Sequence, residues 1–143
     1  RPDLTIVGAI RLVLDYAADV EEAIRLLGQY DIHNSIGWTH HLSIADAERS
    51  VVVEWKTGRM HVTDTPLVTN HCMWEQRDCP LAAESHRCMA ALRNPANEAD
   101  ALSILKQAAY DEWTIWSVIF NREKPSGTWF IRRNWSNPHT VEL

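Results

Sequence analysis

The sequence has little glycine, proline or cysteine: five, six and three residues among 143. This composition argues against collagen-like repeats, low-complexity tails and disorder. No apolar run approaches the roughly 20 residues that a membrane-spanning helix needs, so we expect no membrane span. Acidic residues outnumber basic ones, and the formal net charge is −5, which argues against nucleic-acid binding by bulk electrostatics.

The remaining composition is that of a globular protein. Hydrophobic residues make up 45% of the chain and charged residues 23%, and no linker or internal repeat interrupts it. We therefore expect one compact domain over residues 1–143. Seven tryptophans are many for this length and predict aromatic anchors in a core or an interface.

The three cysteines, Cys72, Cys79 and Cys88, lie close together in the sequence. An odd number cannot pair completely within one chain, and such close spacing would not link distant parts of the fold. Free thiols in a reducing compartment such as the cytoplasm are the simplest interpretation, although the odd count also permits pairing with another chain.

Four helices are predicted, in two pairs. Apolar residues at spacings of three and four run from Leu4 to Tyr16. Asp19, with Glu22 three residues on, is typical of a capping box that begins a second helix, which Gly28 is placed to end. The second pair comprises Glu84–Arg93 and a helix that opens at Asn97-Glu98-Ala99-Asp100.

Six strands are predicted from β-branched and alternating residues around polar turns. Four precede the second pair of helices and two follow it: His41–Ala45, Val51–Trp55, Met60–Thr63, Leu67–Asn70, Thr114–Phe120 and Thr128–Arg132. Runs of helices beside runs of strands favour an α+β layered fold over a doubly wound one.

Five motifs follow one another along this framework: Ile10–Asp15 with Val20–Ile24, His41–Ala47 with Val53-Glu54, Leu67–His71, Ser85-His86-Arg87, and Thr114–Val118. Their order and spacing resemble those of the linear amide C–N hydrolases, which include choloylglycine hydrolases, penicillin V acylases and the isopenicillin N acyltransferase group. The ending Thr69-Asn70-His71 favours the acyltransferase branch.

The resemblance implies a portion of a four-layer αββα N-terminal-nucleophile sandwich, with two antiparallel sheets packed face to face. In this family a cysteine exposed at the N-terminus attacks an amide carbonyl, and its free α-amino group is the base. That role suits an α-amine because its unperturbed pKa of ~7.7–8.0 lies near working pH. An acyl-enzyme then passes to water or an acceptor amine, and the resemblance implies no cofactor.

The sequence departs from the family at its start. Residue 1 is Arg and the first cysteine is Cys72, so the resemblance covers only the family's C-terminal half. The start, with neither an initiator Met nor a signal-peptide pattern, looks like an artificial or a processing cut. We expect the nucleophile to lie in a missing N-terminal half, the implied partner, and this chain alone to be inactive and to self-associate through uncovered strand edges and apolar faces.

Asn70 and Arg87 are the candidate catalytic residues. By resemblance, the Asn70 amide donates a hydrogen bond to the developing oxyanion, and a donor of this kind is worth ~2.7–4 kcal/mol. Arg87 resembles an arginine near the nucleophile, where a cation favours thiolate over thiol. The structural alternatives are an asparagine at a strand end and a solvated arginine near a helix start.

Other polar and aromatic residues have simpler interpretations. The cluster of His71, Cys72, Cys79, His86 and Cys88 lacks the short paired spacing of structural zinc sites, so a zinc domain is a minor alternative. His40-His41 predicts one ring facing inward, and Asp46 predicts a turn residue. Glu54 could face inward and would then need an arginine partner. We expect core positions for the side chains of Trp113, Trp116 and Trp129. An acyl pocket could be lined by Trp38 and Trp74.

The sequence thus supports two functions of different classes. The first is the C-terminal part of a cysteine amidase or acyltransferase acting on linear amides such as bile-salt, penicillin or acyl-amino compounds. The second is a non-catalytic binding or assembly module that keeps the half-fold. The N-terminus of the natural polypeptide separates them, because only the enzyme requires a terminal cysteine.

Overall fold

The structure is a computed structural model, and it describes residues 1–33, 40–68, 97–109, 114–121 and 123–142. The chain divides into two compact units, residues 1–82 and 83–143, and each is described by itself. That the two form one domain stays a prediction. None of the described helices is long and apolar enough to cross a membrane.

The described part of the first unit contains two helices and five strands. In chain order they are β1 (Asp3–Thr5), α1 (Ile6–Tyr16), α2 (Val20–Leu27), β2 (Asp31–His33), β3 (His41–Ala45), β4 (Ser50–Lys56) and β5 (Arg59–Asp64). β1 and β2 form a parallel pair, and β3, β4 and β5 form an antiparallel sheet in that order. The hairpins predicted from the β-branched runs are confirmed, whereas the β1–β2 pair is not predicted.

The predicted first helix begins two residues too early. Leu4 belongs to β1, and α1 starts at Ile6 because the Thr5 side chain accepts a hydrogen bond from the Gly8 N–H at 3.2 Å. A threonine in this N-cap position satisfies one of the N–H groups that a helix start leaves without a partner. The apolar spacing continues across this boundary, so the cap and not the periodicity decides where the helix begins.

The second helix forms where it is predicted. Asp19 accepts a hydrogen bond from the Glu22 N–H at 2.8 Å, but the Glu22 carboxylate accepts from Ala18 rather than from Asp19 itself. Gly28 ends the helix with a φ of −64° and ψ of −13°, which is right-handed. Gly28 thus ends the helix as predicted, and the chain leaves it through a tighter turn at Gln29 and Tyr30.

The core of the first unit lies between the helices and one face of the β3-β4-β5 sheet. Its buried residues are Ile6, Ala9, Val20, Leu27, Ile32, Val51 and Val53. Burying a Val, Leu or Ile side chain completely is worth about 1.5–3 kcal/mol, so these side chains anchor both helices to the sheet. β2 contributes Ile32, and β4 contributes two valines separated by one residue.

The turn between β4 and β5 is formed, whereas the described part of the strand predicted after β5 is not. Thr57 and Gly58 both have positive φ, 51° and 71°, as a two-residue hairpin turn matched to the twist of its strands requires. The fourth strand predicted at Leu67–Asn70 is not formed at Leu67 or Val68, which lie outside any strand. Its last two residues lie outside the described residues.

The second unit contains a helix and a three-stranded antiparallel sheet among its described residues. These are α3 (Glu98–Ala108), β6 (Trp116–Asn121), β7 (Ser126–Ile131) and β8 (His139–Glu142). α3 begins as predicted, because Asn97 accepts a hydrogen bond from the Asp100 N–H at 3.0 Å. β8 is not predicted, and the helix predicted at Glu84–Arg93 lies outside the described residues.

Candidate functional site

The structure gives no placement for the two residues that the sequence selects for catalysis. Asn70 and Arg87 lie outside the described residues, as do the five residues weighed for zinc and also Trp38 and Trp74. Within the described ranges, no three His, Cys, Asp or Glu side chains come together as metal ligands. Among the described residues, a row of titratable side chains crosses β3, β4 and β5.

β4 is buried on both of its faces. Val51 and Val53 belong to the core beneath α1 and α2, and alternation along a strand directs Val52 and Glu54 to the opposite face. Val52 is 0% exposed and Glu54 5% exposed. At β4, this second face of the sheet is therefore also shielded from solvent, and it carries a buried carboxylate.

Three titratable side chains form a row across that second face. Glu54 is paired in register with His41 on β3 and with His61 on β5. One carboxylate oxygen of Glu54, Oε1, lies 3.1 Å from Nδ1 of His41. The His41 side chain is 24% exposed and that of Glu54 6% exposed, so solvent reaches the imidazole more readily than the carboxylate.

The His41–Glu54 contact defines the chemistry available at this face. When Glu54 is ionised, its carboxylate can only accept hydrogen bonds, and Nδ1 of His41 is then the donor. A carboxylate held against one ring nitrogen in this way orients the imidazole. The sequence leaves open whether Glu54 faces inward, and in the structure its side chain is buried. The sequence predicts an arginine partner, whereas the partner that the structure describes is a histidine.

The opposite face of the same sheet borders a groove of about 360 Å³ between α1 and β3. Its walls are mainly apolar, with Ile10 and Leu14 on the helix and Leu42 and Ile44 on the strand. The carboxylate at its end, Asp46, accepts hydrogen bonds from three backbone N–H groups, those of Val20, Glu48 and Arg49. Asp46 is thus a turn residue, as predicted, and it also binds the start of α2.

A second charged cluster surrounds Arg49, which the sequence does not single out. Its guanidinium donates to both carboxylate oxygens of Asp64, at 2.6 and 3.2 Å, and also to Glu21. This hydrogen bonding lowers the pKa of Asp64 and raises that of Arg49. The Arg49 cluster could have been predicted from the register of the β4–β5 hairpin. That register pairs Val51 with Asp64 and so places residue 49 beside the end of β5.

The described elements thus define an α+β protein with antiparallel sheets and few helices, as predicted. No protein-family model matches the sequence, and no curated protein matches it. Among solved structures, the chain is similar to penicillin V acylase from Agrobacterium tumefaciens, with a TM-score of 0.75 and 18% sequence identity. The match covers 99% of this chain and 57% of the acylase chain.

This likeness shows the fold. The chain has the fold of a portion of the N-terminal-nucleophile hydrolase sandwich, and the prediction of its fold class is confirmed.

Proposed function

We propose that this chain is the C-terminal part of a cysteine N-terminal-nucleophile amidase or acyltransferase acting on linear amide C–N bonds. The observation that carries the proposal is the whole-chain likeness to penicillin V acylase, in which 99% of this chain corresponds to only 57% of the larger one. The order of the five sequence motifs supports it independently.

In the proposed reaction, the attacking thiol and its α-amino base come from the remaining portion of the protein, on the same or a separate chain. The thiol adds to the amide carbonyl, the amine leaves with a proton, and a thioester forms. Asn70 donates to the oxyanion, and Arg87 favours the thiolate. Water or an acceptor amine then releases the acyl group.

The substrates that this proposal admits are penicillins, bile-salt amides and acyl-amino compounds. The buried His41–Glu54 pair has a supporting role in it, because the base in the proposed reaction is the α-amine of the nucleophile. The carboxylate–imidazole pair holds β3 and β4 in register. It positions the sheet and does not itself contact the reacting atoms.

The test begins with the natural gene product. N-terminal sequencing and intact mass establish whether a cysteine begins the mature polypeptide upstream of Arg1. Hydrolysis of penicillin V, a glycine-conjugated bile salt and an N-acyl amino acid is then measured with that protein. We expect a terminal cysteine and turnover of at least one of the three amides.

The role of Asn70 is tested in the same protein. Asn70→Ala should lower kcat by about 10²–10³-fold with little change in KM, because an oxyanion donor acts mainly in the transition state. Asn137→Ala is the matched control, since Asn137 is exposed in a turn between β7 and β8. Thermal melts confirm that both variants fold.

The proposal fails if the mature polypeptide lacks an N-terminal cysteine or if Asn70→Ala leaves turnover unchanged. A natural product of only these 143 residues that is a stable, inactive monomer would favour the non-catalytic module.

A further inference from the structure

One face of the β6-β7-β8 sheet carries an unusual number of exposed apolar side chains. Trp116 is 60% exposed, Phe120 58%, Ile131 45% and Val141 53%. The register pairs Trp116 with Ile131, and Phe120 with Gly127 and through it with Val141. Residues paired in register share a face of a sheet, so all four lie together, and we call them the open face. The sequence prediction that Trp116 belongs to the core is wrong.

The opposite face of this sheet is the one that α3 contacts. β6 and α3 pack together, and Asn121 donates to the Glu98 carboxylate of α3 at 2.7 Å. Asn121 alternates with Phe120 along β6, so its side chain belongs to the other face. Phe130 and Ser117, which share that other face, are buried at 4% and 9% exposure.

The open face is well ordered by its own packing. The rings of Phe120 and Trp129 meet edge to face, with centroids 5.9 Å apart. The Trp129 ring lies over Gly127, where a Cβ atom would overlap it. A rigid, preformed apolar surface of this kind costs little side-chain entropy when another surface covers it.

The size of the open face indicates what covers it. With about 200 Å² for a whole large aromatic side chain, the exposed parts of its four residues amount to roughly 400 Å². A stable complex of separate proteins buries about 800 Å² per partner. Only a little over half of such a surface is apolar, so the open face by itself is marginal for holding a second copy of this chain. A part of the same folded protein needs less area, because tethering or cofolding removes most of the entropic cost of association.

We propose that the open face is the packing surface for the portion of the protein that corresponds to the part of the penicillin V acylase chain left unmatched here. The inference rests on the proposed function for one premise only, which is that the protein has a portion beyond this chain. The fold supplies the reason: a sheet within a layered sandwich has both faces covered, and α3 contacts only one face of this sheet.

Hydroxyl-radical footprinting of the natural gene product tests the inference. Labelling of Trp116 and Phe120 is compared between the folded product, the same product in urea, and the 143-residue chain alone. We expect labelling severalfold slower in the folded product than in urea, and fast labelling in the chain alone. Equal labelling of these residues in the folded product and in urea would overturn the inference.

A matched pair of variants gives a second readout. Ile131→Ser alters the open face, whereas Ile115→Ser alters an isoleucine that directly precedes Trp116 and is more exposed than Ile131, at 63% against 45%. In the natural product, Ile131→Ser should lower Tm by about 2–4 °C or more and Ile115→Ser should leave it nearly unchanged. Equal effects of the two variants would contradict the inference.

The outcomes separate this inference from the proposed function. If the open face is protected in the natural product but no amide is hydrolysed, the inference is supported and the proposed function is wrong. If an amide is hydrolysed but the open face is not protected, the proposed function is supported and the inference is wrong. If labelling of the natural product itself falls as its concentration rises, the occupant is a second copy and the inference fails. It fails equally if the natural product has no portion beyond this chain.

Discussion

His41 and Glu54 face each other across β3 and β4, with Nδ1 of the histidine 3.1 Å from Oε1 of the carboxylate. Both lie on the face of the sheet opposite the two helices, and Glu54 is 5% exposed. A carboxylate at this depth is stable only with a hydrogen-bonded partner. The pair therefore couples the edge strand β3 to the centre of the sheet.

Removing the histidine should destabilise the protein. His41→Ala leaves the buried carboxylate with one hydrogen-bond partner fewer, which costs about 1–3 kcal/mol. Urea denaturation followed by tryptophan fluorescence measures the loss. His33→Ala is the control, since His33 is exposed at the end of β2, and it should change stability by less than about 0.5 kcal/mol. Equal effects of the two variants would contradict a structural role for the pair.

Acid should weaken the link between Arg49 and Asp64. Hydrogen bonding to Arg49 holds the pKa of Asp64 below its ordinary value of 3.8. A carboxyl whose pKa is lower in the folded state binds protons more weakly there than in the unfolded chain. Its contribution is therefore complete above about pH 4 and disappears as the pH falls through the lowered pKa.

The corresponding measurement is the free energy of unfolding between neutral and strongly acid pH. Asp64→Asn should flatten the acid limb of this profile, whereas Asp3→Asn, at an exposed carboxyl outside this cluster, should leave it unchanged. Added salt should reduce the difference between wild type and Asp64→Asn at neutral pH, because both side chains are solvent-accessible and screened. Superimposable profiles for wild type and Asp64→Asn would refute the prediction.

Asp46 should contribute more to stability than a simple turn residue does. Its Oδ1 accepts from the N–H groups of Glu48 and Arg49, each at 2.8 Å, and its Oδ2 accepts from Val20 at 2.9 Å. Asp46→Ala removes all three bonds and should cost about 0.5–2 kcal/mol, the range for lost helix caps. Glu48→Ala, in the same turn, is the control, and chemical denaturation measures both. A smaller loss for Asp46→Ala than for the control would count against the link to α2.

Gly127 should tolerate no side chain. An added Cβ would overlap the ring of Trp129 and approach Phe120 to 3.3 Å, and overpacking of this kind costs about 1–3 kcal/mol. Gly127→Ala should therefore lower Tm and shift the tryptophan emission as the Trp129 ring is displaced. Gly58→Asn is a contrasting variant, because nothing would lie within 4 Å of its Cβ and asparagine accepts positive φ. Equal Tm values for wild type and Gly127→Ala would disprove the overlap.

Local sequence patterns were sufficient for α1, α2, α3 and the β3-β4-β5 hairpins because these depend on neighbouring residues. Asp19 and Asn97 act as helix caps through N–H groups only three positions away. The antiparallel strands β3, β4 and β5 follow one another with short turns, so alternation and turn residues predict them.

The structural features that the sequence did not predict involve short segments or partners that are distant in sequence. β1 and β2 are three residues each and pair in parallel across two helices, and no local pattern indicates that pairing. β8 is polar and fully exposed, so its alternation carries no apolar signal. Asn70 and Arg87 were selected by resemblance, and their roles stay predictions.

By itself, then, the sequence determined which segments become helices and hairpins and that the layers are of the α+β type, because short-range hydrogen bonds and side-chain periodicity suffice for both. Only the tertiary structure decided that Glu54 meets a histidine, that Arg49 joins α2 to β5, and that Trp116 lies on an open face. Each of these depends on the register between strands and on which surfaces the rest of the fold covers, and neither is a property of residues taken in order along the chain.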